Sequence, residues 1–183
     1  MAKVYDQLGE KQKDFIARQK VFFVATAPLS ADGHVNLSPK GYDSFVVLDD
    51  NTVAWLDLGG SGIETLAHVK ENGRMTIMFC AFEGPANILR LYGKGEAVQF
   101  DDPRFPELLK MFPDFDKARS ILTLKIDRVQ DSCGWGVPFM DFKDHRDQLK
   151  RNWDHSYEKH GDTETQANYR KNVASIDGLP GIE

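Results

Sequence analysis

The residues in this chain with chemical potential suit anion binding and ring stacking better than metal or nucleophile chemistry. There is no HExxH, CxxC or GxSxG, and the five histidines, His34, His68, His145, His155 and His160, share no metal-ligand spacing. Of the two cysteines, Cys80 lies in an apolar run and reads as a small core residue, while Cys133 sits in a Gly-rich loop with no neighbouring base. The turn Gly59-Gly60-Ser61-Gly62 joins a strand-like run to a helix-like one. Backbone N–H groups and a helix dipole can hold a phosphate there. The same turn also reads as a capping box, with Ser61 and Glu64 satisfying the helix's own donors. Lys40 ends the polar face of one strand, and Arg90, Tyr92 and Lys94, spaced by two, share a face of another. Two such cations on neighbouring strands can hold one phosphate, or belong to a solvated face. Trp55, Trp135, Tyr92, Phe79 and Phe139 offer flat surfaces to an aromatic ligand or to the core. A phosphorylated planar cofactor requires anion site, aromatics and glycines in one place.

Elements must bring these groups together. Residues 7–19 read as a polar amphipathic helix with Leu8, Phe15 and Ile16 as its apolar contacts. Residues 21–26 are a β-branched and aromatic run, which suits a strand buried on both faces. Residues 34–40 alternate: Val35 and Leu37 make one face, expected to be core, and His34, Asn36, Ser38 and Lys40 make the other, expected to be open. Ala31-Asp32-Gly33 between the two runs makes a hairpin. Strands at 44–48 and 53–58, separated by Asp49-Asp50-Asn51, complete what reads as a four-segment meander. Ile63, Leu66 and Ala67 follow at helical spacing until Asn72-Gly73 stops the helix. Residues 75–82 and 86–98 are further strands, the second carrying Gly93 and Gly95, which mark a bend, a bulge or a close backbone approach. Asp102-Pro103 opens an amphipathic helix with Phe105, Leu108, Leu109 and Phe112, and 121–129 is a last strand. About six or seven strands with only one or two intervening helices predict a mainly β fold, a closed or partly closed antiparallel barrel. From roughly residue 141 a polar helical stretch carries Leu149, Trp153 and Tyr157 as a narrow stripe. The expected division is a barrel with its N-terminal helix over 1–142, and an extension over 143–183 that packs on the barrel or on a second subunit.

Composition bounds the function. With 183 residues, 41% hydrophobic and 28% charged, the chain is an ordinary globular protein of one domain. Its 23 Lys+Arg against 28 Asp+Glu give a net charge of −5, which repels nucleic acid and anionic membrane. Two cysteines are too few for a disulfide framework, and the charged start MAKVYDQLGEKQKDF is no signal peptide, so a cytoplasmic setting is expected.

The ordered segments GHVNLSPKG, TVAWLDLGGSGIETLAHVKENGRMTIMFCAFEG, ILRLYGKGEAV and SCGWGVPF resemble the pyridoxamine 5′-phosphate oxidase-like family of FMN-binding split barrels, in particular its oxidase-related branch. The resemblance spans roughly residues 12–142 and implies a six-stranded antiparallel split barrel that dimerises, with FMN in a groove built by both subunits. It implies that the strand Val35 to Lys40 borders the isoalloxazine through Asn36, Leu37, Ser38 and Pro39, with Lys40 on the cofactor. Trp55 and Leu56 fall where the next strand borders FMN, and Ser61, Gly62 and Thr65 fall on the phosphate turn. Well-studied oxidases of the family carry an Arg-Lys pair at that turn; this chain has Glu64-Thr65. Lys40 or Arg90 is therefore expected to help hold the phosphate, Tyr92 to share Arg90's face, Glu64 to turn away into the capping box, and Trp135 to wall the groove or close the barrel. The function implied is a homodimeric FMN-dependent oxidoreductase acting on a small molecule, with a nicotinamide as a candidate electron source, rather than a true pyridoxamine phosphate oxidase. The alternatives are a deazaflavin (F420)-dependent reductase on the same barrel and a non-catalytic flavin or haem carrier.

Overall fold

A computed structural model of the chain describes residues 2–60, 62–112, 114–115, 117–169 and 174–182. Its elements are β1 (Lys3–Tyr5), α1 (Glu10–Arg18), β2 (Phe22–Thr26), β3 (Asn36–Lys40), β4 (Phe45–Asp49), β5 (Thr52–Asp57), α2 (Glu64–Asn72), β6 (Arg74–Cys80), β7 (Ile88–Gln99), α3 (Phe105–Leu109), β8 (Ser120–Ser132) and α4 (Gln148–Tyr169). The strands form one antiparallel sheet in the order β3-β2-β6-β7-β8-β5-β4, with β1 added beside β8. This is the expected barrel-type fold with eight strands in place of six. β1 is three residues long and alternates too little to be read from sequence.

The expected meander is wrong in its middle. β2 pairs β3 and β4 pairs β5, yet β3 and β4 stand at opposite ends of the strand order. Tyr42 (φ 67°) and Asp43 (φ 53°), both left-handed, turn the chain from one sheet edge to the other. The sheet curls so that these edges face across a shared core. Phe45 of β4 packs edge-on against Phe22 of β2, ring centroids 5.0 Å apart, and against Phe79 of β6 at 5.1 Å. Val24, Trp55, Ile77, Leu91 and Leu124 complete that core, and each such fully buried side chain contributes about 1.5–3 kcal/mol. A second apolar layer lies on the outer face of β5 and β8, where Leu56 and Ile121 are covered by Phe105 and Phe112.

Strand β2 is buried on one face only: Phe22, Val24 and Thr26 point in, while Phe23 and Ala25 are half-covered. β3 reverses the expected polarity. Asn36, Ser38 and Lys40 turn inward and partly bury, whereas Val35 and Leu37 are 73% and 63% exposed. Gly93 does mark a bulge: the β7–β8 register shifts between Tyr92 and Gly93, and a Cβ there would run into the Lys125 carbonyl. Gly73 caps α2 in the left-handed region (φ 69°), as Asn72-Gly73 predicts. No helix among the described residues is long and apolar enough to cross a membrane.

Candidate functional site

The inward face of β3 follows from its register. Asn36 pairs Thr26, Ser38 pairs Val24 and Lys40 pairs Phe22, so three polar side chains share the concave face with the core. Asn36 and Ser38 are satisfied there by each other, by β2 and by α2. Asn36 Nδ2 donates to Thr65 Oγ1 (3.0 Å) and to Thr26 Oγ1 (3.3 Å), and Ser38 Oγ donates to Asn36 Oδ1 (3.1 Å). Thr26 Oγ1 also lies 3.0 Å from Nδ1 of the fully buried His68. The His68 tautomer decides which of the two donates, and the buried Nε2 has no partner among the described residues. Burial holds the His68 pKa below the ordinary imidazole value, with Asp177, Glu71 and Glu64 pulling the other way. Thus His68 is a neutral post on which Thr26, Asn36 and Thr65 are hung.

Opposite this wall, Asp57 at the end of β5 pairs in register with Ser120 at the start of β8. Arg119, one residue earlier, donates from Nε to Asp57 Oδ2 (2.8 Å) and from Nη2 to the Gly62 carbonyl (2.9 Å). Ser120 Oγ and the Gly59 amide donate to the same carboxylate at 3.3 and 3.2 Å. Arg119 is 4% exposed, and its Nη1 has no hydrogen-bond partner among the described residues. Lys40 is close enough to feel both charges. Desolvation pushes its pKa down, Asp57 pulls it up and Arg119 pushes it down further, while its Nζ stands 5.0 Å from the Trp55 ring centroid. Around the glycine turn Lys40 and Arg119 stand against two carboxylates, Asp57 and the Glu64 that folds back onto the turn, so the charges balance.

The sequence-derived residues therefore divide. Asn36, Ser38, Lys40, Gly62 and Thr65 come together, and Ser61 lies outside the described residues. Trp55 and Leu56 are 1% and 2% exposed, so their side chains are core and leave no flat face for a ligand to stack on. Leu37 and Pro39 face out. Arg90 and Tyr92 cannot share an anion with Lys40. Two strands separate β7 from β3, and the chain of registers puts Leu89 and Leu91, not Arg90 and Tyr92, on the Lys40 face. Arg90 instead donates to Ser132 Oγ (3.2 Å), and Tyr92 lines an outer groove of about 410 Å³ with Ala25, Val35 and Thr76. Trp135 is 85% exposed in a turn after β8. The capping box takes a different form: Ile63 is the N-cap of α2, and its amide donates to Glu64 Oε2 (3.0 Å), which does turn this carboxylate back onto its own turn.

Asp57, Arg119, Thr26 and His68 escaped the sequence reading. Two of them are charges bordering apolar strands, and that is a usable signal, since a charge at the end of a buried strand needs a partner. Asn36 and Ser38 spend their protons within the site, and the donors that suit a phosphate are the Thr65 hydroxyl, the Lys40 ammonium and Arg119 Nη1 beside the glycine turn. Among the described residues no three His, Cys, Asp or Glu side chains gather to hold a metal ion.

A curled antiparallel sheet split between β3 and β4 defines a split-barrel protein. The sequence profile of pyridoxamine 5′-phosphate oxidase matches residues 8–133, and the chain belongs to that family. A curated relative, the pyridoxamine 5′-phosphate oxidase family protein ustO of Aspergillus flavus, is 36% identical over 194 aligned residues, covering 97% of this chain and 77% of that one. Among solved structures, HupZ of Group A Streptococcus superposes with a TM-score of 0.55 at 23% identity, covering 67% of this chain and 91% of its own. A Lactobacillus delbrueckii protein provisionally assigned as a pyridoxamine 5′-phosphate oxidase gives 0.52 at 19% identity, covering 68% and 94%.

Proposed function

We propose that this chain is a flavoprotein that holds FMN at the seam of a homodimer and passes reducing equivalents to or from a small molecule. The observation that carries the reading is Arg119 Nη1, a buried guanidinium nitrogen beside the glycine turn that has no partner among the described residues. An unmade hydrogen bond on a buried charge is costly, and a phosphate accepting from Arg119 Nη1 would relieve it. Ser61, Gly62, Thr65 and Arg119 would take the phosphate. The β3 backbone from Asn36 to Lys40 would border the ring, with Trp55 and Leu56 stiffening the strand behind it. When bound, FMN supplies hydride exchange at its N5, and no dedicated protein acid or base is needed. The chain's part is to fix orientation and keep water out. The substrate-binding Tyr, Arg and Ser and the C-terminal Trp and Arg pattern of the true oxidases have no counterparts at the matching positions of this chain, which argues against pyridoxamine phosphate as the substrate; a small planar or carbonyl-bearing molecule, with a reduced nicotinamide as electron source, is the proposed class.

The homodimer is supported by what β3 turns outward. Val35 and Leu37, exposed on an edge strand, make an apolar strip that an isologous copy would cover. The free cysteines, Cys80 buried and Cys133 exposed, support a reducing compartment, the cytoplasm.

The test is mass spectrometry of the small molecule that copurifies with the native protein, followed by titration of the stripped chain with FMN, F420 and haem. FMN is expected, with an absorption band near ~450 nm that reductant bleaches. Release of F420 or haem, or failure to take up FMN, overturns the flavin assignment. FMN uptake with no turnover of reduced nicotinamide across a panel of acceptors makes the protein a carrier and overturns the enzyme reading.

A further inference from the structure

We propose that residues 174–182 are a positioning staple that sets the spacing between the two walls of the cofactor site, a role that rests on the flavin reading above. One wall is β3, the other the glycine turn with the start of α2. Inside the site they meet at Asn36 and Thr65. The C-terminal segment joins them a second time from outside.

At the first wall, both oxygens of the Asp177 carboxylate are spent on one residue. The His34 amide donates to Oδ2 at 2.7 Å, and His34 Nδ1 lies 2.7 Å from Oδ1, two positions before Asn36. The seat is tight: a Cβ on Gly33 would stand 3.3 Å from Asp177 Oδ2 and would overlap the Pro28 ring. At the second wall, Ile182 is 4% exposed and packs against Ile63 and Leu66, the residues that bracket Glu64 and Thr65. Lys70, further along α2, donates to the Gly181 carbonyl at 2.9 Å.

A staple must also be stiff between its ends. Ala174 and Pro180 form a bridge, the Ser175 amide donates to the Leu179 carbonyl (2.8 Å), and the Leu179 and Gly178 amides return to Ser175 Oγ (3.1 Å) and its carbonyl (2.9 Å). Gly178 at φ 79° makes the turn that closes this loop. Ordering a terminal segment costs conformational entropy, and here that cost is offset by anchors placed on the two elements that carry the donors.

The test uses full-length Asp177→Ala, Ile182→Ala and Asp177→Asn, the last keeping an acceptor for the His34 amide should the first fail to fold. FMN and riboflavin affinities are measured by fluorescence titration well below the melting transition, with amide exchange over 36–40 and 62–66 in the stripped protein. Asp177→Ala and Ile182→Ala are expected to weaken FMN about tenfold, riboflavin less, and Asp177→Asn to fall between, with faster exchange at both walls. A merely structural tail would lower Tm and leave the FMN-to-riboflavin ratio unchanged. An FMN affinity within about twofold of wild type in both alanine variants overturns the staple. If the wild-type chain takes up no FMN, the flavin reading falls on its own, and exchange decides: unchanged rates at either wall sink the staple, faster rates at both keep it.

Discussion

At the scale of single residues, Arg119 and Asp57 make the sharpest claim. Their side chains are 5% and 8% exposed, so removing one leaves the other charged and unpaired in the interior. Arg119→Met is expected to cost about 3–5 kcal/mol in urea unfolding, whereas the pair Arg119→Met with Asp57→Asn should recover most of it, because no lone charge remains. Both variants should lose FMN binding, which separates the anion role from the stability role. A double variant no more stable than the single one would show that the ion pair does not govern the fold here. Arg119 was not legible in the sequence because its partners are set by the pairing of β5 with β8, some sixty positions apart. That Asn36, Ser38 and Lys40 share one face was legible, since strand parity is local, though not that this face turns inward; Thr65 came only with the family resemblance. Arg90 failed for the same reason that Arg119 was missed. Parity assigns faces within a strand, but which faces of β3 and β7 coincide depends on the order of strands between them.

At the scale of elements, the backbone does as much as the side chains. In the sequence Gly93 and Gly95 of β7 mark a bend, a bulge or a close backbone approach, and the structure settles on a bulge, with Gly93 where the register slips. Because the atom in the way of a Cβ is the Lys125 carbonyl, no side-chain rearrangement can relieve Gly93→Ala. We expect it to cost about 2–4 kcal/mol by thermal or urea unfolding, and to alter the pairing of Tyr92 with Arg128 beside the bulge. A variant within about 0.5 kcal/mol of wild type would mean that the strand accommodates a side chain there. Element existence was readable because each strand carries its own period and turn signals. The break between β3 and β4 was not. Gly41 to Ser44 look like any short hairpin connection, and only the left-handed Tyr42 and Asp43 reveal that the chain leaves one edge and begins another.

At the scale of the whole molecule, the inversion of β3 is the informative departure. An alternating strand normally buries its apolar side. Here the polar side is drawn in by Thr26 and Thr65 and the apolar side is left on the surface. A monomer that spent its donors this way would gain a polar site and expose an edge strand fit for association. The arrangement is self-consistent if a second copy covers Leu37, and Leu37→Asp tests this. Leu37 is 63% exposed, so the change should leave the isolated fold nearly untouched, within about 0.5 kcal/mol. Across a two-fold interface, however, each substitution is counted in both subunits, and two desolvated carboxylates are expected to cost several kcal/mol, enough to shift a micromolar dimer to monomer at working concentrations. Sedimentation equilibrium should find a wild-type dimer and a Leu37→Asp monomer of unchanged circular dichroism. If both copies build the groove as proposed, FMN affinity should fall when the dimer is lost. A wild-type monomer at tens of micromolar, or a Leu37→Asp dimer that binds FMN as wild type does, would remove the second copy from the site and leave the outward face of β3 without its proposed cover.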